Sequence, residues 1–191
     1  MSVNTNPTCP SGCTGEIPDA QFSFCSPTNL FGEITHLFIA SAGTACFTDE
    51  AILAEWLGRL DNSGGGIQAI RYFHVSADMP AGAGDVIETS LNRKAKGPKT
   101  FTINVDVDDI TTLNYEFMRA TQCNQTFKIW YASAGFLYGG ACGIDANVNL
   151  DYVIARGTKS IQKITGVVTW DSQYAPERVV NPLSGASILT T

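Results

Sequence analysis

Apolar and polar residues alternate most sharply between positions 99 and 170. Phe101, Ile103, Val105 and Val107 interleave with Thr100, Thr102, Asn104 and Asp106. A period of two marks a strand with one dry face and one wet face. Asp108 and Asp109 interrupt it, and Ile110, Leu113 and Phe117 then recur at helical spacing as far as Arg119. The acidic pair stands where a helix N-terminus favours negative charge. A second alternation covers 127–131, followed by Phe136-Leu137-Tyr138, a glycine turn at Gly139 and Gly140, and runs over 144–154 and 161–170. This order predicts an antiparallel sheet, strongly curved or closed, with one helix lying across an opening.

The first half predicts a strand–helix–strand unit. Ile34, Leu37, Phe38 and Ile39 give a buried strand over 33–40. A helix over 48–60 follows, with Thr48 as its cap, Asp49 and Glu50 at its positive end, and Ile52, Leu53, Trp56, Leu57 and Leu60 on one face. Asn62 and the glycines at 64–66 end it, and 67–75 reads as the next strand. The segment 79–98 is rich in glycine and proline, and only 86–91 has strand character. So long a segment in a compact domain points either to a misread element or to function; it is expected to project as a hairpin or loop, with a mobile solvated loop as the alternative. The outer segments, 1–30 and 176–191, read as extended arms around a single β-rich domain over 31–175. Gln21-Phe22-Ser23-Phe24 is the only strand-like piece of the first arm. The fold class expected is mainly β with two helices, an α+β antiparallel sandwich or barrel.

Charge narrows the partners. Only 16% of the 191 residues are charged, and the net charge is −6. A weakly charged surface suits a protein that buries much of itself against copies. The acidic balance argues against gripping a nucleic-acid backbone, which needs a basic face. Against this background Arg93, Lys94, Lys96 and Lys99 concentrate positive charge at 93–99, so the projecting segment is a candidate for docking on an acidic patch of a neighbour. No apolar run reaches the roughly 18 residues of a membrane helix. The start of the chain has neither the basic nor the apolar region of a cleaved signal.

Candidate chemistry is sparse. Cys9 and Cys13 form one loose pair, with Cys25, Cys46, Cys123 and Cys142 at long intervals. Zinc sites usually show two tight pairs, so the expectation is six free, buried thiols, with metal binding by Cys9, Cys13, Cys25 and Cys46 left open. His36 and His74 lie in strands without an evident partner and read as structural. Asp106, Asp108 and Asp109 lack the glycine and distal acid of a calcium loop. Ser63-Gly64-Gly65-Gly66 lacks the lysine of a phosphate loop. The aromatics Trp130, Tyr131, Phe136 and Tyr138 read as cross-strand core pairs, with a glycan or base platform as the alternative. No nucleophile–base pair, metal set or cofactor site is legible, so an enzyme is not expected.

The sequence from 99 onward resembles a known family. Thr100-Phe101-Thr102-Ile103-Asn104-Val105 runs into Asn114-Tyr115-Glu116-Phe117-Met118-Arg119, then Phe127-Lys128-Ile129-Trp130-Tyr131 and Leu137-Tyr138-Gly139-Gly140. Residues 161–170 and Arg178-Val179-Val180-Asn181-Pro182 complete the pattern. It resembles virion structural proteins of tailed bacteriophages, above all tail tube proteins, over about half of the chain. The resemblance implies a β-sandwich or barrel flanked by a helix, stacked hexameric rings, and a long loop that contacts the adjacent ring. It implies assembly in the bacterial host cytoplasm into a virion, contacts with other virion proteins, and a lumen that passes double-stranded DNA without binding it. The unit at 33–75 and the cysteine-bearing arm depart from the simplest tube subunit. Capsid decoration, neck and connector proteins, and a glycan- or receptor-binding β-module, are the alternatives.

Overall fold

The computed structural model describes residues 32–60, 69–89, 93–123, 126–154, 156–157 and 160–184. The first arm over 1–30, with Cys9, Cys13 and Cys25, and the glycine turn at 62–66 lie outside the described residues. Nine strands are described: β1 Ile34–Ser41, β2 Ile70–Asp78, β3 Ala83–Thr89, β4 Arg93–Val107, β5 Thr126–Ser133, β6 Phe136–Tyr138, β7 Ile144–Val153, β8 Lys163–Ser172 and β9 Arg178–Val180. Two helices accompany them, α1 Leu53–Leu57 and α2 Thr112–Thr121.

Six strands close into an antiparallel barrel in the order β1-β2-β4-β8-β7-β5, and β5 returns to β1. Closure removes most sheet edges, which otherwise invite pairing with other chains. The alternation read in the sequence is the alternation of the barrel wall. Ile103 and Val105 of β4, Val148 of β7 and Val168 of β8 fill the interior, while Thr102 and Asn104 lie on the other face. Each fully buried aliphatic side chain contributes about 1.5–3 kcal/mol. Gly166 of β8 makes room at a tight point of the wall, since a Cβ there would lie 2.2 Å from the Asn149 carbonyl oxygen of β7.

Helix α2 packs against the barrel and buries Met118 in its core, with Phe117 against Phe73 of β2 at 4.9 Å between ring centroids. Gln122 beyond its end donates to the Leu150 carbonyl at 3.5 Å. The cap is not the acidic pair. Thr111 is the N-cap, and its hydroxyl accepts from the Asn114 N–H at 3.2 Å. Asp109 lies before the first turn and is engaged through its carbonyl, which accepts from the Asn114 amide at 2.8 Å. Leu113 stays exposed, so the apolar face is narrower than its spacing suggested.

A second core covers the outer face of β1 and β5. Phe38, Phe47, Trp56, Trp130, Leu137 and Leu183 form it, so β1 is buried on both faces. The segment 42–60 is laid over it, and Trp56 and Trp130 meet edge to face at 5.6 Å. The helix there is shorter than expected. It spans Leu53–Leu57, with Ile52 as its N-cap and no side-chain cap. The Asp49 carboxylate takes the Ala51 N–H at 2.9 Å, a local turn that competes with helix bonds. The Glu50 carbonyl is taken by the Trp56 indole N–H at 2.9 Å. Thr48 is no cap; its own N–H donates to Glu55 Oε2. Of the expected apolar face, Trp56 is 0% and Leu60 3% exposed, whereas Ile52, Leu53 and Leu57 are 45%, 38% and 41% exposed.

The end of the described chain belongs to this second core. β9 pairs with β6, and Leu183 is fully buried. Asn181 fixes the turn through its side-chain oxygen, which accepts the Leu183 N–H at 3.0 Å.

Candidate functional site

The segment singled out at 79–98 is a β-ribbon. β3 pairs with β4 in the register Ala83↔Thr100, Gly84↔Lys99, Val86↔Lys96, Ile87↔Ala95, Glu88↔Lys94 and Thr89↔Arg93. β4 joins β8 only from Lys99 onward, and β3 has no other partner among the described residues. Residues 93–98 therefore extend beyond the barrel with β3 alone beside them. Between the pairs Gly84↔Lys99 and Val86↔Lys96, β4 spends two residues, Gly97 and Pro98, where β3 spends one. This is a β-bulge, the sheet position that tolerates a residue without an N–H.

The root of the ribbon is firmly held. Phe101 stacks on Trp170 at 5.4 Å with an interplanar angle of 10°, and Thr100 donates to the Asp171 carboxylate at 2.6 Å. Gly84 lets the Lys99 stem cross the partner strand, since a Cβ there would sit 2.6 Å from Lys99 Cγ. Lys99 is exposed at this root. Arg93, Lys94 and Lys96 lie along the outer part of β4. The opposite strand carries Asp85 and Glu88, so the positive charge belongs to one strand of the ribbon and not to all of it.

Of the remaining candidates, the aromatics fall into core and cross-strand contacts, as the sequence reading favoured. Trp130 and Tyr131 are buried, and the Trp130 indole N–H donates to the Gly140 carbonyl at 2.8 Å. Tyr131 stacks on Tyr138 at 4.8 Å, and burial pushes its hydroxyl pKa well above the usual range. Phe136 lies beneath the Arg178 guanidinium at 4.6 Å. The four aromatics thus present no common open platform. Asp106 pairs with Lys163 at 2.6 Å, and this hydrogen bond holds its carboxyl below the ordinary value. Among the described residues no group of three acids, histidines or cysteines is placed to hold a metal.

The expectation of free thiols fails for Cys46 and Cys142 and holds for Cys123, which departs only from the expected burial. Cys46 and Cys142 form a disulfide, and Cys123 is free but exposed. The pairing of β1 with β5 and of β5 with β7 carries the loop after β1 to the turn before β7. There the Phe47 N–H donates to the Ala141 carbonyl at 2.7 Å. A sequence separation of 96 gives no local signal of such a bond.

The histidines are together. His36 and His74 face each other across β1 and β2, with ring centroids 4.4 Å apart. Each was legible alone as a strand residue; their contact required the register.

Comparison with protein-family models, with curated proteins and with solved structures finds no match. No helix among the described residues is long and apolar enough to cross a membrane.

Proposed function

We propose that this protein is a structural component of a tailed-bacteriophage virion that assembles with copies of itself into stacked rings, forming a tail tube through which the genome passes. The observation that carries this reading is the β3–β4 ribbon. A closed barrel satisfies its own edges, yet it extends one anchored, two-stranded projection with a basic strand from a protein of net charge −6. A projection of that kind suits contact with an acidic face of a neighbouring copy, where complementary charge sets register and speeds encounter. A ring of such subunits lets remaining strand edges pair between copies. An acidic lumen repels the DNA that moves through it and so prevents sticking. The disulfide suits a particle that persists outside the cell, because such bonds last in oxidising surroundings, virion surfaces included.

Negative-stain microscopy of the purified protein tests the reading: rings or tubes support it, and a persistent monomer overturns it. A variant tests the ribbon. Replacing 82–96 by a brief glycine–serine turn leaves the β4–β8 ladder, which begins at Lys99, intact. The melting temperature is expected to stay nearly unchanged while stacking is lost. High salt should weaken stacking of the parent, since exposed pairs contribute about 0–1 kcal/mol each and are screened. Normal tubes from the shortened chain would overturn the role of the ribbon.

A further inference from the structure

We propose that His36 and His74 form a two-imidazole site for a divalent late first-row transition-metal ion, such as zinc, on the outer face of the barrel. Phe38 and Ala40 of β1 belong to the core outside the barrel, and His36 shares their alternation; Phe73 and Val75 of β2 fill the interior on either side of His74. The two histidines are direct partners in the β1–β2 register. Directly opposed side chains on one face lie close enough to share a ligand, and the ring centroids are 4.4 Å apart.

One ring nitrogen of His36 is held and the other has no partner. Its Nδ1 lies 2.9 Å from the Thr35 hydroxyl oxygen. With the Nδ1 proton donated to that oxygen, Nε2 carries a lone pair. Nε2 is buried and has no hydrogen-bond partner, an arrangement that costs free energy unless something accepts the lone pair. Histidines that bind metals characteristically hold the other ring nitrogen in such a hydrogen bond, which fixes tautomer and orientation.

The surroundings admit a cation. His74 is exposed and, on its side towards β4 and away from His36, borders a cleft of about 390 Å³ whose wall also includes Asp106 and Asp108. The single cation in that wall, Lys163, is paired with Asp106 at 2.6 Å. Imidazole nitrogen suits zinc, copper and nickel, and zinc–nitrogen bonds of about 2.0–2.1 Å are within reach of two facing rings. Because no third protein ligand joins the pair among the described residues, water completes the coordination shell.

The chain has only two histidines, so ring-nitrogen NMR of the untagged, 15N-labelled full chain reports these two side chains and nothing else. Zinc titration is expected to move one nitrogen of each ring, Nε2 in His36, along a single saturation curve. His74→Gln, at an exposed position and checked for fold by its backbone amides, should abolish saturation at His36 or weaken it at least about tenfold. Thr35→Val should weaken it by about the same factor. Ring nitrogens unmoved at millimolar zinc would overturn the site, including the case in which zinc is taken up by cysteines alone. So would a His36 response of undiminished affinity in His74→Gln.

Discussion

Cys46 and Cys142, 96 positions apart in sequence, are covalently joined and fasten the outer layer to the turn that precedes β7. The neighbourhood is independently knitted. Arg59 donates to the Ala45 and Cys46 carbonyls at 2.6 and 3.0 Å, and Lys128 donates to the Cys142 carbonyl at 3.0 Å. Closing a loop of this size restricts the unfolded chain, and losing such a bond typically costs about 2–5 kcal/mol. The double variant Cys46→Ser/Cys142→Ser should lose that much in urea unfolding. Thiol titration of the parent in denaturant without reductant should find no more than four of the six cysteines reactive; six would refute the bond.

Trp56 is the keystone of the outer core. It stacks on Phe47 at 4.4 Å and meets Phe38 and Trp130 edge to face. Trp56→Ala should cost about 3–5 kcal/mol, the usual loss for a buried aromatic truncated to alanine. A variant that melts within a degree or two of the parent would show the layer to be dispensable.

Gly143 is required by contact and by backbone. Its φ is +73°, and a Cβ would lie 2.6 Å from Trp130 Cζ2. Gly143→Ala should therefore cost about 1–3 kcal/mol from overpacking, added to about 1–2 kcal/mol of left-handed backbone strain. Gly135 supplies the control. Its φ is +81° and a Cβ there meets nothing within 4 Å, so Gly135→Ala should show the strain alone.

His36 should make stability depend on pH. Its pKa is lowered from 6.5, first by burial and then by His74. Below 6.5 the unfolded chain takes up the proton before the folded one. The contribution of neutral His36 is thus whole above pH 6.5 and is lost as pH falls through the lower folded value. Melting temperature should decline on acidification from pH 7.5 towards 5, and less so in His36→Gln. Asp106 acts in a separate, more acidic window. Its lowered pKa adds stability above the ordinary carboxylate range that disappears as pH drops through the folded value. Equal pH slopes for parent and His36→Gln would refute the assignment.

What the sequence made legible follows from where each signal resides. The strands β4, β7 and β8 stood out because only one face of each is buried, against the barrel interior, so burial writes a period of two directly into the residue order. Trp56 was equally legible as a core residue. The extent of its helix was not, because Ile52, Leu53 and Leu57 repeat at helical spacing without being buried. Competing side-chain bonds around Asp49 and Glu50 decide the chain's path there. The disulfide and the histidine pair depend on strand register and on segments far apart in sequence, which periodicity does not encode. The ribbon lay between these cases. Its glycines and prolines marked a departure from the barrel, while its pairing with β4 became apparent only in three dimensions.

The bulge at Gly97 and Pro98 acts as a phase shifter. Upstream of it, β4 counts faces from the ribbon; downstream, it counts them from the barrel wall, and the extra residue is the offset between the two counts. Deleting one residue there would leave the barrel alternation of 99–107 untouched. It would exchange the two faces of the ribbon beyond it, because a slip of one residue turns every side chain over. The phase between the ribbon and the barrel wall is therefore set by a single extra residue, independently of how well the barrel is packed.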